Sequence, residues 1–304
     1  VFAAFRLLAY GRRLAKVLKE ERVACVHTNS LKSALYGAVA AKLAGVPLVW
    51  HIRDHIGSPY LKPAVASAIR WLSRLVPSGV IANSRSTLGA LNLPKSKRTL
   101  VVYSSFAKKL PPEPVRKDDL TGRFVVLLVG RLAEWKGQHV LLEAARSFRG
   151  DEDILFLIAG DALFGEDEYK MSLIRRIEED GLDNVHLLGH VDDVQELMRQ
   201  SDLLVHTSIT PEPFGQVIVE GMAAGLPVVA SNEGGPTEIV VDGETGLLIR
   251  PGDPDRLAFA IRYLRERPDA RRRMGASARE RVREHFAIEK TVKQITTYYE
   301  GLIR

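Results

Sequence analysis

Two glutamates, Glu212 and Glu220, stand eight positions apart in EPFGQVIVE, with a proline, a glycine and branched apolar residues between them. Pro213 pushes the residue before it into extended geometry, so Glu212 belongs to a loop. The run GQVIVEGMAAG reads as a helix closed by Gly225, with Pro227 beyond, which places Glu220 about one to two turns inside it. The amides near Gly215 and Gln216 then form a helix N-terminus, a seat for phosphate through unpaired donors and the helix dipole. The stretch therefore offers a loop carboxylate, an anion seat and a second carboxylate one layer back. On spacing alone, a solvated loop glutamate and a helix-surface glutamate explain the pair at least as well.

A second group is GRLAEWKG at 130–137, directly after the apolar run FVVLLV. Arg131 and Lys136 flank a short loop that opens a helix. A guanidinium can grip phosphate oxygens as a fork while an ammonium acts as a point charge. Lys136 is followed by Gly137, not by Ser or Thr, so this is not a Walker loop. Taken alone, the two cations are as readily a surface pair. In HIRDH, His51 ends the strand PLVW and is expected to face a cleft between two domains, although a lone strand-end histidine is more often a hydrogen-bonded structural residue. His51, Asp54 and His55 lack the helical spacing of a metal site. In SNEGGPTEIVVDGETGLLI, Gly234, Gly235 and Pro236 suggest another glycine-rich start to a helix.

The elements that must position these residues follow a repeating pattern. RVACVHT, PLVWHI, GVIANS and RTLVVY read as buried strands alternating with helices, the rhythm of a parallel sheet covered on both faces. Residues 107–122, AKKLPPEPVRKDDLTG, break that pattern with prolines and mixed charge and mark a linker. The rhythm resumes with FVVLLVG, ILFLIAG, NVHLLG, LLVHTS, LPVVAS and GLLI, and the chain is helical from Asp255 onward. The fold class is α/β, two tandem doubly wound Rossmann-like domains, whose ligands sit at the carboxyl ends of the strands. The expected divisions are 1–112, 113–285 and a final helix in 286–304.

Charge is unevenly divided. Residues 1–110 hold 18 Lys and Arg against 3 Asp and Glu, and residues 111–304 hold 25 against 34. A basic half points to an anionic partner. VFAAFRLLAYGRRLAKVLK and LKPAVASAIRWLSRLV mix cations with large apolar residues as amphipathic helices do, which suits an anionic membrane surface as well as packing on their own sheet. Nucleic-acid motifs are lacking. The single cysteine, Cys25, excludes an internal disulfide and fits a reducing compartment such as the cytoplasm, with any membrane contact peripheral, at the inner face. No apolar run approaches the roughly 20 residues of a membrane span. The chain begins at Val1 and its first residues read as the middle of a helix.

Arg131 and Lys136, Glu212 and Glu220, the strand PVVAS, GGPTEIVVDGETGLLI, and Asn83 with Ser84 together resemble the family-4 retaining glycosyltransferases of GT-B fold. The resemblance runs from about Arg22 over the rest of the chain. It implies that Glu220 binds the nucleotide ribose, Glu212 faces the donor hexose, and Arg131 and Lys136 face the diphosphate. It implies further that the backbone of Phe214, Gly215 and Gln216 meets sugar and phosphates, that His51 lies near the reacting face, and that His190 and Val191 hold the base through backbone groups. The implied reaction moves a hexose from a UDP- or GDP-sugar to a glycan or lipid-linked acceptor with no cofactor and no metal ion. Asp192 and Asp193 stand at a helix start, where acidic residues are ordinary. The resemblance departs at YSSF (103–106), where an Asn-Gly pair is usual, at Gly221, where alanine is usual, and in a first glycine-rich loop and strands missing from the N-terminal domain. Those departures leave open a nucleotide-sugar-binding fragment without transfer activity, completed by a partner chain, or a sugar-nucleotide epimerase of the same architecture.

Overall fold

The computed structural model describes residues 2–57, 60–106 and 122–303. Nearly all of the expected linker, 107–121, lies outside the described residues. The chain divides into two compact units, Val1–Ser104 with Ile288–Arg304, and Ser105–Ala287.

The first unit alternates α1 (Phe2–Glu20), β1 (Val26–Thr28), α2 (Leu31–Ala44), β2 (Leu48–Ile52), α3 (Pro63–Leu75), β3 (Gly79–Ala82), α4 (Arg85–Ala90) and β4 (Thr99–Val101). The strands form a parallel sheet in the order β1-β2-β3-β4. Local chemistry sets the helix ends. Ser30 and Ser33 form a reciprocal capping box at the start of α2, and Gly45, at φ +74, closes that helix in the left-handed conformation. Gly11 lets α1 approach α2 so closely that a Cβ there would lie 2.4 Å from Val39 Cγ1. The first of the two basic amphipathic stretches is thus used for packing within its own unit.

Alternation along β2 sends Leu48, Trp50 and Ile52 to one face of the sheet and Val49 and His51 to the other. The Leu48 side is buried with Ala34 and Ala66 of helices α2 and α3. The Val49 side is covered by the last helix of the chain, where Ile295, Tyr298, Tyr299 and Leu302 pack against Val49, Ile81 and Val102.

The second unit runs β5 (Phe124–Val129), α5 (Gln138–Ala145), β6 (Ile154–Ala159), α6 (Asp167–Glu179), β7 (Val185–Gly189), α7 (Val194–Arg199) and β8 (Leu203–His206). It continues with α8 (Gln216–Ala223), β9 (Val228–Ser231), α9 (Pro236–Ile239), β10 (Gly246–Ile249), α10 (Pro254–Glu266) and α11 (Pro268–His285); α12 (Ile288–Ile303) returns to the first unit. The sheet is parallel in the order β10-β9-β8-β5-β6-β7. Every residue of β6 is buried, as a central parallel strand requires. Phe124, Val126 and Leu128 join Ile154, Phe156 and Ile158 in a core closed by α5, α6 and α10. The strand order reverses between β5 and β8. Such a switch point leaves a crevice at the carboxyl ends of those two strands, and the loops that leave them carry Arg131, Lys136 and Glu212. Among the described residues, no helix is long and apolar enough to cross a membrane.

Candidate active site

The loop after β5 turns through Leu132 and Ala133 into a short 3-10 turn, Glu134–Lys136, which ends at Gly137 with φ +71. The loop after β8 is tied to it by the backbone. Thr207 Oγ1 donates to the Lys136 carbonyl at 2.9 Å, and the Ile209 amide donates to the Trp135 carbonyl at 2.9 Å. Gly137 allows this approach, because a Cβ there would stand 2.0 Å from the Thr207 carbonyl oxygen. The sequence brings two polar loops together because the strands beneath them are neighbours.

Lys136 Nζ meets both carboxylate oxygens of Glu212, at 2.7 and 2.9 Å. His206 Nε2 lies 2.6 Å from Glu212 Oε2, and Ser208 Oγ donates to the same oxygen at 2.8 Å. The pair is largely withdrawn from water, with side chains 17% and 12% exposed. Burial alone would push the Glu212 carboxyl up, but the His206 ring and the Lys136 ammonium outweigh it and hold the group far below the usual carboxylate range. Glu212 is therefore an anion throughout the physiological range. An ammonium has three donors and Glu212 takes two, so Lys136 can serve its carboxylate and a further acceptor together.

Arg131 is placed differently. Its Nε lies 3.4 Å from Glu166 Oε2, and its guanidinium sits 5.2 Å from the Phe164 ring and 5.9 Å from that of Trp135. Lys136 Nζ is 4.4 Å from the centre of the same indole. Two cations thus flank Trp135. Phe164 is 88% exposed, at a left-handed φ of +59.

Glu212 leads into α8. Its backbone bridges to Gly234, and the Gly235 amide donates to the Glu212 carbonyl at 2.8 Å. A Cβ at Gly235 would fall 2.2 Å from the Phe214 carbonyl oxygen, so this glycine pair seats the loop. The expected glycine-rich helix start is present, with Pro236 opening the four-residue α9, and the Gly235 amide is spent on the loop. Gly215, at φ +108, precedes α8, whose first turn has no side-chain cap. Phe214 is buried with its ring centre 6.1 Å from that of Phe286, and Gln216 Nε2 donates to the Ser105 carbonyl at 3.4 Å. Glu220 is half-buried within α8. His190 and Val191 follow β7 at the sheet edge. His190 is exposed beside Asp192, and Gly189 accepts from the Gly160 amide at 2.8 Å. Asp193 caps α7, accepting from the Glu196 amide at 2.9 Å.

His51 lies within the first unit and is only 4% exposed. Its Nδ1 is 3.3 Å from His27 Nε2, and His27 Nδ1 contacts the Tyr299 hydroxyl of α12. His51 Nε2 is buried without a partner among the described residues. Burial first, then Arg53 and His27, lower its pKa to about 3. A histidine that folds neutral must be protonated on unfolding in acid. Stability from His51 is therefore complete above the unfolded value near 6.5 and is lost as pH falls from there toward 3. We expect the unfolding free energy in urea to decline over that window by up to about 1.4 kcal/mol per pH unit from this group. His51→Gln should flatten the decline; an unchanged acid limb would assign it to other groups.

His206, Ser208, Trp135 and Glu166 did not stand out in the sequence. The signal available for the first two was polar residues, His206 and Thr207-Ser208, ending an apolar strand.

Residues 113–281 match the family of glycosyl transferases group 1, and residues 2–100 match the glycosyl transferase 4-like domain. The chain is 31% identical over 188 residues to spore coat protein SA of Bacillus subtilis, covering 60% of this chain and 50% of that protein. It is 30% identical over 245 residues to the D-rhamnosyltransferase WbpZ of Pseudomonas aeruginosa, covering 77% and 61%. The chain thus spans half to three-fifths of the length of these curated relatives. Among solved structures, Anabaena Alr3699/HepE in complex with UDP-glucose superposes with a TM-score of 0.85 at 31% identity, over 96% of this chain and 82% of that one. A lysine–glutamate pair on adjoining loops at the point of strand reversal accords with these matches, and the chain belongs to the group 1 glycosyl transferases.

Proposed function

We propose that this chain transfers a hexose from a UDP- or GDP-sugar to an acceptor hydroxyl on a glycan or a lipid-linked saccharide, with retention at the anomeric carbon and no metal ion. The observation that carries the reading is the Lys136–Glu212 pair at the carboxyl ends of β5 and β8, with Glu212 four residues before the uncapped start of α8. Breaking the anomeric C–O bond leaves negative charge on the departing diphosphate and positive charge on the sugar. Lys136 and the α8 amides are arranged for the first, with Arg131 joining once it exchanges its Glu166 contact for phosphate. Glu212 supplies a fixed anion for the sugar hydroxyls and the forming cation. In this reading Glu220 serves the ribose, so Glu220→Ala weakens nucleotide affinity more than it slows the chemical step. The UDP-glucose bound by the Anabaena protein supports a nucleotide-sugar donor here.

A thermal-shift panel of UDP, GDP and ADP with their sugars tests the donor, since a ligand bound only by the native state stabilises it as its concentration exceeds Kd. Product analysis then separates transfer from hydrolysis. No stabilisation by any member of the panel would end the reading.

His206 acts through Glu212 and is a positioning residue. His206→Phe should lower kcat about 10- to 100-fold with little change in donor KM, because the carboxylate loses one of its anchors. The pH at which activity is lost in acid should rise, since the carboxyl is held down less. His206→Gln, which keeps a donor, should restore part of the rate; equal loss in both variants with an unmoved acid limb would leave His206 a purely structural residue.

A further inference from the structure

Helix α3 presents an unusual outer side. Ala66 and Ser73 are buried against the first unit, as an amphipathic covering helix requires. Positions 64, 68, 71 and 75 recur at i, i+4, i+7 and i+11 on the other side and are Ala, Ala, Trp and Leu. All four are exposed, Trp71 by 59% and Leu75 by 63%, and Val65 and Val76 widen the strip at 45% and 37%. A helix covering a sheet ordinarily turns charge outward at these positions, whereas here the most exposed line carries none.

Cations border the strip, and backbone carbonyls hold two of them. Arg74 Nη2 donates to the Asn92 carbonyl at 2.9 Å, and Arg70 donates to the carbonyls of Ile56 and Ala90 at 2.6 and 2.7 Å. Carbonyl partners fix these guanidiniums without cancelling their charge. Among the described residues none of Lys62, Arg70 and Arg74 is paired with a carboxylate, and the sequence has no Asp or Glu between Asp54 and Glu113.

We propose that this outer side of α3 is a docking surface for a bilayer containing anionic lipid. The helix lies in the plane of the interface, with Trp71, Leu75, Val65 and Val76 entering the boundary between headgroups and acyl chains and Lys62 and Arg74 at headgroup level. An indole is well suited to that depth, and long basic side chains reach back to the phosphates. Charge complementarity selects this occupant over a second protein: an apolar strip bordered by cations, on a stretch of sequence without Asp or Glu, matches a partner that is greasy below and negative above. The inference does not depend on the transferase reading.

The test is co-sedimentation of the full chain with vesicles of phosphatidylcholine alone or mixed with phosphatidylglycerol. Binding is expected to the mixed vesicles, to weaken in high salt, and to fall at least ~tenfold in the double variant Trp71→Glu, Leu75→Glu. Both positions are exposed, so an unchanged melting temperature is expected and confirms that the variant folds. Trp71→Phe should still bind, but quenching of tryptophan fluorescence by brominated acyl chains should disappear, because Trp71 is the indole that enters the lipid. The proposal is overturned by absence of binding to the mixed vesicles, by binding that the double glutamate variant leaves intact, or by quenching that survives Trp71→Phe. Concentration-dependent dimerisation abolished by the same variant, without vesicle binding, would assign the strip to a second copy and overturn it equally.

Discussion

Glu212→Gln is expected to reduce glycosyl transfer about 10²- to 10³-fold while leaving a folded protein, the range seen when one fixed electrostatic contact to a transition state is removed. The substitution keeps shape and one acceptor but discharges the group. In the native site the carboxyl stays ionised far into acid because His206 and Lys136 both face it. With glutamine, Lys136 loses its counter-ion and the developing charge on the sugar loses its anion. Glu212→Ala goes further: it leaves Lys136 and His206 facing an unoccupied pocket, and breaking a buried pair in this way costs about 3–5 kcal/mol of stability. Initial rates with saturating donor and acceptor, beside donor binding by calorimetry, measure both effects. Activity within about threefold of the parent in Glu212→Gln would remove Glu212 from the chemistry and reduce the Lys136 contact to an ordinary structural ion pair.

Gly137→Ala is expected to be as damaging, for a reason of backbone rather than charge. At φ +71 an alanine costs about 1 kcal/mol in the left-handed region. The added Cβ also stands 2.0 Å from the Thr207 carbonyl oxygen, a backbone atom with no freedom to turn away. Relief requires separating the two loops, and with them the Thr207–Lys136 and Ile209–Trp135 hydrogen bonds. We expect a total loss of about 3 kcal/mol or more in urea unfolding, with nucleotide binding impaired together with stability. Gly150→Ala is the control. Gly150 has nearly the same backbone angle, φ +73, and an added methyl there would meet nothing within 4 Å, so only the cost of about 1 kcal/mol should appear. Similar losses at the two positions would mean that contact with Thr207 is not what makes Gly137 necessary.

The parallel α/β architecture was legible because buried strands such as FVVLLV and ILFLIA leave near-continuous apolar runs, and because Gly45 and the prolines opening α3, α10 and α11 mark helix ends locally. Short elements were less legible. The run RVACVHT gives a strand of three residues, and α4 went unrecognised between two loops. That Lys136 and Glu212 both stand on loops at strand ends was legible. Their pairing was not, because it depends on β5 and β8 being neighbours, which strand order decides and local pattern does not. His206 was hidden for the same reason, being one polar residue at the end of an apolar run until Glu212, six positions on, folds back over it. His51 illustrates the opposite case. Its position at a strand end was readable, whereas its neighbour His27 is in turn held by Tyr299, 272 positions further along the chain.

Helix α12 has a consequence for how the polypeptide is made. It belongs to the first unit but follows the whole of the second, and it fits closely enough that a Cβ at Gly79 would fall 2.0 Å from the Tyr298 hydroxyl. At roughly 5–20 residues per second on the ribosome, the segment between Ser104 and Ile288 takes on the order of ten to forty seconds to emerge. Throughout that delay the nascent sheet lacks the helix that covers Val49, Ile81 and Val102 in the folded chain, so this apolar face waits for the end of translation to be closed.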